Sequence, residues 1–278
     1  MNRPTVFSRP WPYALTLATA LALALGTGGS VRAQAGGDPF GSIQWPDLQR
    51  EFFGAGRVVF DNRVQVTGPA FAEDPMNVPI TVSADGLADV EVITVIVDRN
   101  PIRKVLEYFP LEMLPRVSFR FKLEQASPVR AAAKTRDGVW HVGGVLVDSS
   151  GGGCTAATET RRDASWSRSL GDVSARVFPH SSPAGTGVGT ATTGEKATRL
   201  RLRVMHPMDT GLVSGIPAFY VNRLSLRDAA GRELMRVNAF EPVSENPIFS
   251  FDFSGQPKGA LHLVGTDNNG NRIDGLFE

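Results

Sequence analysis

The chemistry that this sequence offers centres on a single thiol. Cys154 is the only cysteine among 278 residues, and it follows Gly151, Gly152 and Gly153 in a segment of small residues. Cysteine is among the most buried residue types, but three glycines supply no side chains to form a pocket and give the backbone unusual freedom. The segment therefore predicts a flexible, exposed arm that presents the thiol of Cys154 to other molecules.

The neighbours of this thiol in the sequence do not favour catalysis. A thiol with a pKa of about 8.5 is only slightly ionised at neutral pH, so a catalytic cysteine needs a base or a cation beside its sulfur. Arg161 and Arg162 are near along the chain, but the nearest histidine, His141, precedes the arm by one predicted strand. A flexible arm also does not hold a catalytic geometry. The sequence therefore predicts a carrier and not an enzyme, because a carrier needs only a long, narrow segment that brings its thiol to other proteins.

No metal site or cofactor is predicted. The histidines show no ligand spacing with one another or with Cys154; they are His141, His180, His206 and His262. Oxygen-bearing residues from Asp267 onward have the spacing of a calcium loop, but Arg272 stands where that loop needs a glycine. A hairpin turn at Asn269 and Gly270 explains these residues better. The sequence also lacks phosphate-binding, dinucleotide-binding and nucleophile-elbow motifs.

Residues 1–35 have the features of an export signal. Arg3 and Arg9 give a basic start, residues 13–25 form an apolar run, and residues 33–35 supply a small-x-small cleavage site. The run is shorter than the roughly 20 residues that a bilayer requires, so a cleaved signal is favoured over an uncleaved anchor. No other segment approaches a membrane span. We therefore expect a periplasmic protein.

Charge and compartment limit the partners. The net charge is +1, from 29 Lys+Arg against 28 Asp+Glu, which lacks the basic footprint of a nucleic-acid-binding protein. An exported cysteine without a partner in its own chain is buried and inert, cross-linked to another molecule, or free and reactive. An exposed arm favours the reactive state and predicts a reducible dimer through Cys154.

The residues around the arm predict β-strands. Residues 78–84 and 90–98 alternate apolar with polar side chains or are rich in β-branched types, as do further runs up to residue 148. Beyond the arm, leucine and valine alternate with arginine from residue 199 to 204, which indicates a strand with one buried face. Helices are predicted only at Trp45–Phe53 and near residues 164–173.

Many short strands without intervening helices are typical of sandwiches. The fold class is therefore all-β, with two immunoglobulin-like β-sandwich domains. Residues 36–154 form the first domain, which ends in the cysteine arm, and residues 198–278 form the second. Between them, residues 155–197 are small and polar and are predicted to be a linker or long loop.

Several motifs resemble two subunits of the periplasmic sulfur-oxidising system. The first half resembles SoxY in V-P-I-T-V-S-A-D-G-L at residues 78–87, in I-V-D-R-N-P at residues 96–101 and in the glycine-cysteine segment. The second half resembles SoxZ in H-P-M-D-T-G, V-N-R, N-P-I-F-S-F and T-D-N-N-G, which begin at residues 206, 221, 246 and 266. The resemblance implies that Cys154 carries sulfur intermediates covalently. It also implies that the SoxZ-type half docks on the SoxY-type half and does no chemistry.

One departure from the family pattern affects the arm. In SoxY the pattern G-G-C-G-G ends the chain, whereas here Gly152, Gly153 and Cys154 are followed by Thr155 and then by a second domain. The arm is therefore tethered at both ends, which makes insertion into a narrow tunnel harder. Fused chains of this kind are similar to the SoxYZ-like carriers associated with quinoprotein dehydrogenases. The resemblance thus implies partners among sulfur-oxidation-type enzymes or quinoprotein dehydrogenase-associated enzymes.

Two other functions stay open at this point. The chain can be a non-catalytic accessory or folding partner of a periplasmic quinoprotein dehydrogenase that oxidises methanol or another alcohol, with Cys154 incidental. It can also be a plain secreted binding module. His206, Asp209 and Asn222 are predicted to shape a loop and an interface and not to catalyse a reaction.

Overall fold

A computed structural model describes residues 37–181 and 196–278. The predicted export signal at residues 1–35 lies outside these ranges. The strands of the first half are β1 Val58–Phe60, β2 Gln65–Thr67, β3 Phe71–Ala72, β4 Val78–Ser83, β5 Val90–Val97, β6 Lys104–Phe109, β7 Arg116–Phe121, β8 Ser127–Thr135 and β9 Trp140–Ser149. Strand β10 Val173–Ser181 precedes the second half, whose strands are β11 Lys196–Val204, β12 Val221–Arg227, β13 Glu233–Ala239, β14 Ile248–Phe253, β15 Leu261–Asp267 and β16 Arg272–Phe277. Within the described ranges, no helix has the length and apolarity that crossing a membrane requires.

The strands form two sheets, and each sheet contains strands of both halves. The larger sheet has the order β1-β9-β8-β5-β6-β13-β12-β15-β16, with β3 paired to β9, and the smaller has the order β10-β11-β14-β7-β4-β2. The halves meet where β6 pairs with β13 and where β7 pairs with β14, both antiparallel. Buried apolar residues of both halves form one core cluster between the sheets. The prediction of an all-β sandwich fold is confirmed, whereas the domain boundaries stay a prediction.

The segment at residues 155–197 differs from the predicted linker. Of its described part, residues 155–181 contain the short helices α2 Glu159–Arg162 and α3 Trp166–Ser169 and the strand β10 Val173–Ser181. Strand β10 runs antiparallel to β11, with Val173 opposite Val204. The apolar residues Val173, Ala175 and Val177 alternate with polar ones, but only the first two pack on the core and Val177 is exposed. Such a half-exposed edge strand has too weak an apolar pattern to stand out from a polar loop.

Helix α1 at Trp45–Phe53 has the predicted bounds. It buries Trp45, Leu48 and Phe53 in a smaller apolar cluster outside the main core, against Ile96, Ala132 and Val142 of the larger sheet. Pro46 lies in its first turn, where the missing N–H has no intrahelical partner to lose.

A buried arginine fastens the segment before α1 to the sheet. The side chain of Arg130 is 0% exposed, and its guanidinium pairs with both carboxylate oxygens of Asp98 at 2.8 Å and with those of Asp38 at 2.6 and 2.9 Å. The guanidinium also stacks on the ring of Trp45 at 4.2 Å. Two carboxylates and an aromatic face therefore replace the water that this cation loses on burial.

We predict that Asp98→Ala lowers the free energy of unfolding by about 3–5 kcal/mol, because it leaves the buried charge of Arg130 without one of its partners. Arg50→Ala is the matched control, since Arg50 pairs with Asp47 on the surface with both side chains more than half exposed. The control should change the free energy by at most about 0.5 kcal/mol. Guanidinium chloride unfolding measures both values, and equal effects would contradict the assignment.

Candidate functional site

Cys154 lies in a loop that follows β9 and returns against the end of β7. We call residues 150–158 the cysteine loop. The Cys154 side chain is 0% exposed. Its thiol donates to the Lys122 carbonyl with a sulfur-to-oxygen distance of 3.5 Å, and its backbone N–H donates to Glu124 Oε2 at 2.9 Å. Thr210 of the second half donates its hydroxyl to the Cys154 carbonyl at 2.7 Å. We call Lys122, Glu124 and Thr210 the thiol seat, and it draws on both halves.

The prediction of an exposed arm is therefore wrong: the cysteine loop lies against the thiol seat, and its thiol is buried. The three glycines allow a close approach. A Cβ at Gly153 would lie 2.2 Å from the Pro75 carbonyl oxygen, and Gly151 and Gly152 have φ values of +93° and +85°. Three glycines form no pocket by themselves, but backbone and side chains far away in the sequence form one around Cys154. The role of Cys154 as attachment point stays a prediction.

The thiol is protonated in this position. Burial raises the pKa of Cys154 to about 12, the Glu124 carboxylate acts in the same direction, and the Lys122 ammonium opposes both. A nucleophilic thiolate is therefore almost absent at neutral pH while the loop is seated. The seated thiol is a protected group.

Lys122 is the second titratable group at the site. It is 1% exposed, and its Nζ donates to the carbonyl oxygen of Met208 in the second half. Burial lowers the pKa of Lys122 to about 8, while Cys154, Asp209 and Glu245 act in the opposite direction. Lys122 does not stand out in the sequence, because the alternation of β7, in which Phe121 points inward, predicts an outward side chain for the next residue.

Acidic side chains of the second half hold the far end of the cysteine loop. The Glu245 carboxylate accepts hydrogen bonds from the N–H groups of Glu159 and Thr160, at 2.8 and 3.1 Å. Arg161 donates to Asp209 Oδ2 at 2.6 Å. Because β9 holds the loop at Ser149, both ends are fixed and only the residues between them are free to move as a loop.

The three polar residues singled out in the second half make contacts within the fold. His206 is 2% exposed; its Nδ1 accepts from the Met208 N–H at 3.1 Å, and its Nε2 lies 3.4 Å from Asp267 Oδ2. Burial lowers the pKa of His206 to about 4, so the ring is neutral at pH 7. Asp209 pairs with Arg161, and Asn222 Oδ1 accepts from the Thr266 hydroxyl at 2.8 Å. His206 adjoins the thiol seat, because Met208 donates to its ring and accepts from Lys122. Asp209 holds Arg161 beyond the cysteine loop, and Asn222 lies on β12.

Other parts of the molecule offer less chemistry. Within residues 37–181 and 196–278, no group of three or more histidine, cysteine or acidic side chains could hold a metal ion. A polar surface cavity of about 430 Å³ lies beside α1, with Gln44, Arg99 and Arg103 in its lining. Cys154 is not among the lining residues of that cavity.

Two family models match the chain in tandem. The model described as "Sulfur oxidation protein SoxY" matches residues 49–154, and the model described as "Sulphur oxidation protein SoxZ" matches residues 188–276. Among solved structures, the sulfur carrier protein SoxY from Chlorobium limicola f thiosulfatophilum is similar at 20% identity and a TM-score of 0.35, and the match covers 38% of this chain and 96% of that one. No curated protein matches the chain.

We predict that iodoacetamide at pH 8 alkylates native Cys154 far more slowly than a small-molecule thiol, because the seated thiol is buried and protonated and reacts only while the loop is open. Thr210→Val should speed labelling roughly fivefold, since the Cys154 carbonyl loses a hydrogen bond worth about 1 kcal/mol. Intact mass over time measures both rates. Thr158→Val is the control, because the Thr158 hydroxyl is buried without a hydrogen-bond partner in the structure. Rapid labelling of the native protein would contradict the seated thiol.

The raised pKa of Cys154 also predicts a pH effect on stability. The unfolded chain releases the thiol proton near pH 9.0, while the folded protein retains it until about pH 12. Stability from this group is therefore complete below pH 9 and is lost as the pH rises toward 12. Between pH 8.5 and 10.5, the protein should lose about 2 kcal/mol more unfolding free energy than Cys154→Ala does. Guanidinium chloride unfolding at both pH values tests this, and equal losses would refute it.

Proposed function

The chain belongs to the sulfur-oxidation families SoxY and SoxZ, joined in one polypeptide, and from this premise we propose that it is a periplasmic carrier that holds a sulfur-containing intermediate on the thiol of Cys154. The SoxY-type half supplies the thiol and most of the thiol seat. The SoxZ-type half completes the seat through Thr210 and fixes the far end of the loop. The carrier presents its cargo to partner enzymes, which supply the catalysis.

The observation that carries this proposal is the way in which the chain's one thiol is held. The seat fixes the loop by hydrogen bonds to Glu124, Leu123 and Thr210 and by glycine backbone contacts. Residues 151–157 other than Cys154 are glycine, alanine and threonine, so opening the loop exposes little apolar surface. Each hydrogen bond contributes only about 1 kcal/mol net. The loop can therefore open without unfolding the sheets.

Opening changes both the chemistry and the reach of the thiol. In water its pKa returns toward its ordinary value of 9.0, which restores a reactive thiolate. That thiolate attacks a sulfur–sulfur bond of a donor: the Cys154 sulfur bonds to the transferred sulfur, and the other sulfur leaves with the electron pair. Cys154 lies five residues from Ser149 and five from Glu159. Five extended residues span at most roughly 17 Å, which sets the upper limit on the depth of a cleft that the thiol can enter while both loop ends stay attached.

The partners and the compartment are part of the proposal. The signal-like residues 1–35 support export to the periplasm. The family match supports sulfur-oxidation-type enzymes as partners, and the fused arrangement leaves quinoprotein dehydrogenase-associated enzymes as the more specific prediction. A disulfide dimer through Cys154 requires the open loop, because the seated thiol is buried.

The burial of Cys154 favours a second candidate function. The Cys154 thiol is 0% exposed and has a pKa of about 12. An inert structural cysteine has the same two properties. The chain would then be an accessory or folding partner of a periplasmic dehydrogenase. The two functions differ in whether Cys154 ever carries a group.

Intact mass of the protein purified from its native host decides between the two functions. We predict added mass on Cys154 that a reductant removes, because the linkage is a sulfur–sulfur bond. Cys154→Ser should carry no added mass, and Thr158→Val should carry as much as the unsubstituted protein. Protein that shows an unmodified thiol during growth on reduced sulfur compounds or on alcohols would refute the carrier and support the accessory function.

A further inference from the structure

The thiol seat binds Cys154 through a hydrogen bond that requires the proton of the free thiol. The Cys154 thiol donates to the Lys122 carbonyl oxygen, which also accepts from Asn100 Nδ2 at 2.8 Å. A sulfur that carries a second group has no proton, so its lone pairs would face that oxygen. The side chain of Cys154 is fully buried, and the backbone of Gly153 lies against Pro75 and Leu123. The seat therefore fits a free thiol better than a derivatised one.

Two charges of opposite sign act on the thiol of Cys154. The Glu124 carboxylate accepts from the Cys154 N–H at 2.9 Å through Oε2 and from the Thr155 hydroxyl at 3.1 Å through Oε1. The Lys122 ammonium is buried and donates to Met208. An anion on the sulfur is repelled by the first charge and attracted by the second.

Burial and the Glu124 carboxylate together outweigh the ammonium. They raise the pKa of Cys154 to about 12 although Lys122 acts against them, so the seat prefers a neutral sulfur to an anionic one. The other nearby carboxylates are engaged elsewhere, Asp209 with Arg161 and Glu245 with the N-terminus of α2. Glu124 therefore holds the loop through its hydrogen bonds and also opposes a negative charge on the sulfur.

We propose that the thiol seat is selective for unloaded Cys154, and that attachment of an anionic sulfur group releases the cysteine loop because the charge repels Glu124. The inference rests on the proposed carrier function and specifies its regulation. Repulsion of Glu124 removes its hydrogen bonds to Cys154 and Thr155 together. The unloaded carrier is then hidden, and the loaded carrier is presented to partner enzymes.

Methanethiosulfonate reagents of similar size and different charge test this selectivity. The Cys154 thiolate attacks the thio sulfur, a disulfide forms, and methanesulfinate leaves. The 2-sulfonatoethyl, 2-hydroxyethyl and 2-aminoethyl reagents give an anionic, a neutral and a cationic adduct, and intact mass verifies complete loading. Amide hydrogen exchange of the peptide that contains residues 150–158 reports release, because Gly152, Gly153 and Cys154 donate their N–H groups to seat residues and to Leu123.

The anionic adduct should exchange at least tenfold faster than the neutral adduct, and the cationic adduct should exchange more slowly than the neutral one. Glu124→Gln should abolish the faster exchange of the anionic adduct, which should then exchange no faster than the neutral one, because the Lys122 ammonium that attracts an anion remains. Glu91→Gln is the control and should keep the tenfold difference, because Glu91 pairs with Lys134 on the surface away from the loop.

An anionic adduct that exchanges as slowly as the neutral one, or more slowly, would overturn the inference and show that Lys122 dominates. If Glu124→Gln does not fold, the charge series on the unsubstituted protein decides alone. The two proposals fail in different ways. The absence of any adduct in protein from the native host would refute the carrier, whereas an anionic adduct that leaves the loop seated would refute only its release by charge.

Discussion

The short segment at the end of β7 is the contact on which both the fold of the site and its chemistry depend. Backbone N–H groups of Lys122 and Leu123 donate to the carbonyls of Pro242 and Pro75, at 2.6 and 2.7 Å, and the Glu124 N–H donates to Asn100 at 2.8 Å. One strand end therefore binds the second half, the first half and a neighbouring turn. Because it is fixed on every side, its carbonyls and its two charged side chains form a rigid surface for the cysteine loop.

The sequence predicted the layout of the molecule better than the state of its thiol. The strand alternation, helix α1 and the glycine-cysteine segment are local patterns, and they were found. The burial of Cys154 depends on Lys122, Glu124 and Thr210, which are 32, 30 and 56 residues away. No periodicity relates residues at such separations. Strand β10 was missed for a different reason, since its alternation is present in the sequence but its edge position leaves the pattern weak.

The SoxZ-type half is a structural part of the site in this chain. Its strands pair with strands of the SoxY-type half in both sheets. Its Thr210 hydroxyl donates a hydrogen bond to the Cys154 carbonyl, and its Met208 carbonyl accepts one from the Lys122 ammonium. Covalent linkage makes this docking intramolecular, with an effective concentration on the order of millimolar. The closed site therefore exists only where the two halves are docked, and the fusion keeps them so at any protein concentration.

Burial of the thiol suits the proposed carrier, because a carrier needs a reactive thiol only at its partner. A permanently exposed thiolate would form disulfides and sulfenic acid before it met an enzyme. The seat suppresses the thiolate, and the loop that holds it is attached by hydrogen bonds of about 1 kcal/mol each. The core, by contrast, is built from many fully buried side chains worth about 1.5–3 kcal/mol each. This difference in scale is what the proposed carrier requires, because the loop would open while the sheets stay folded.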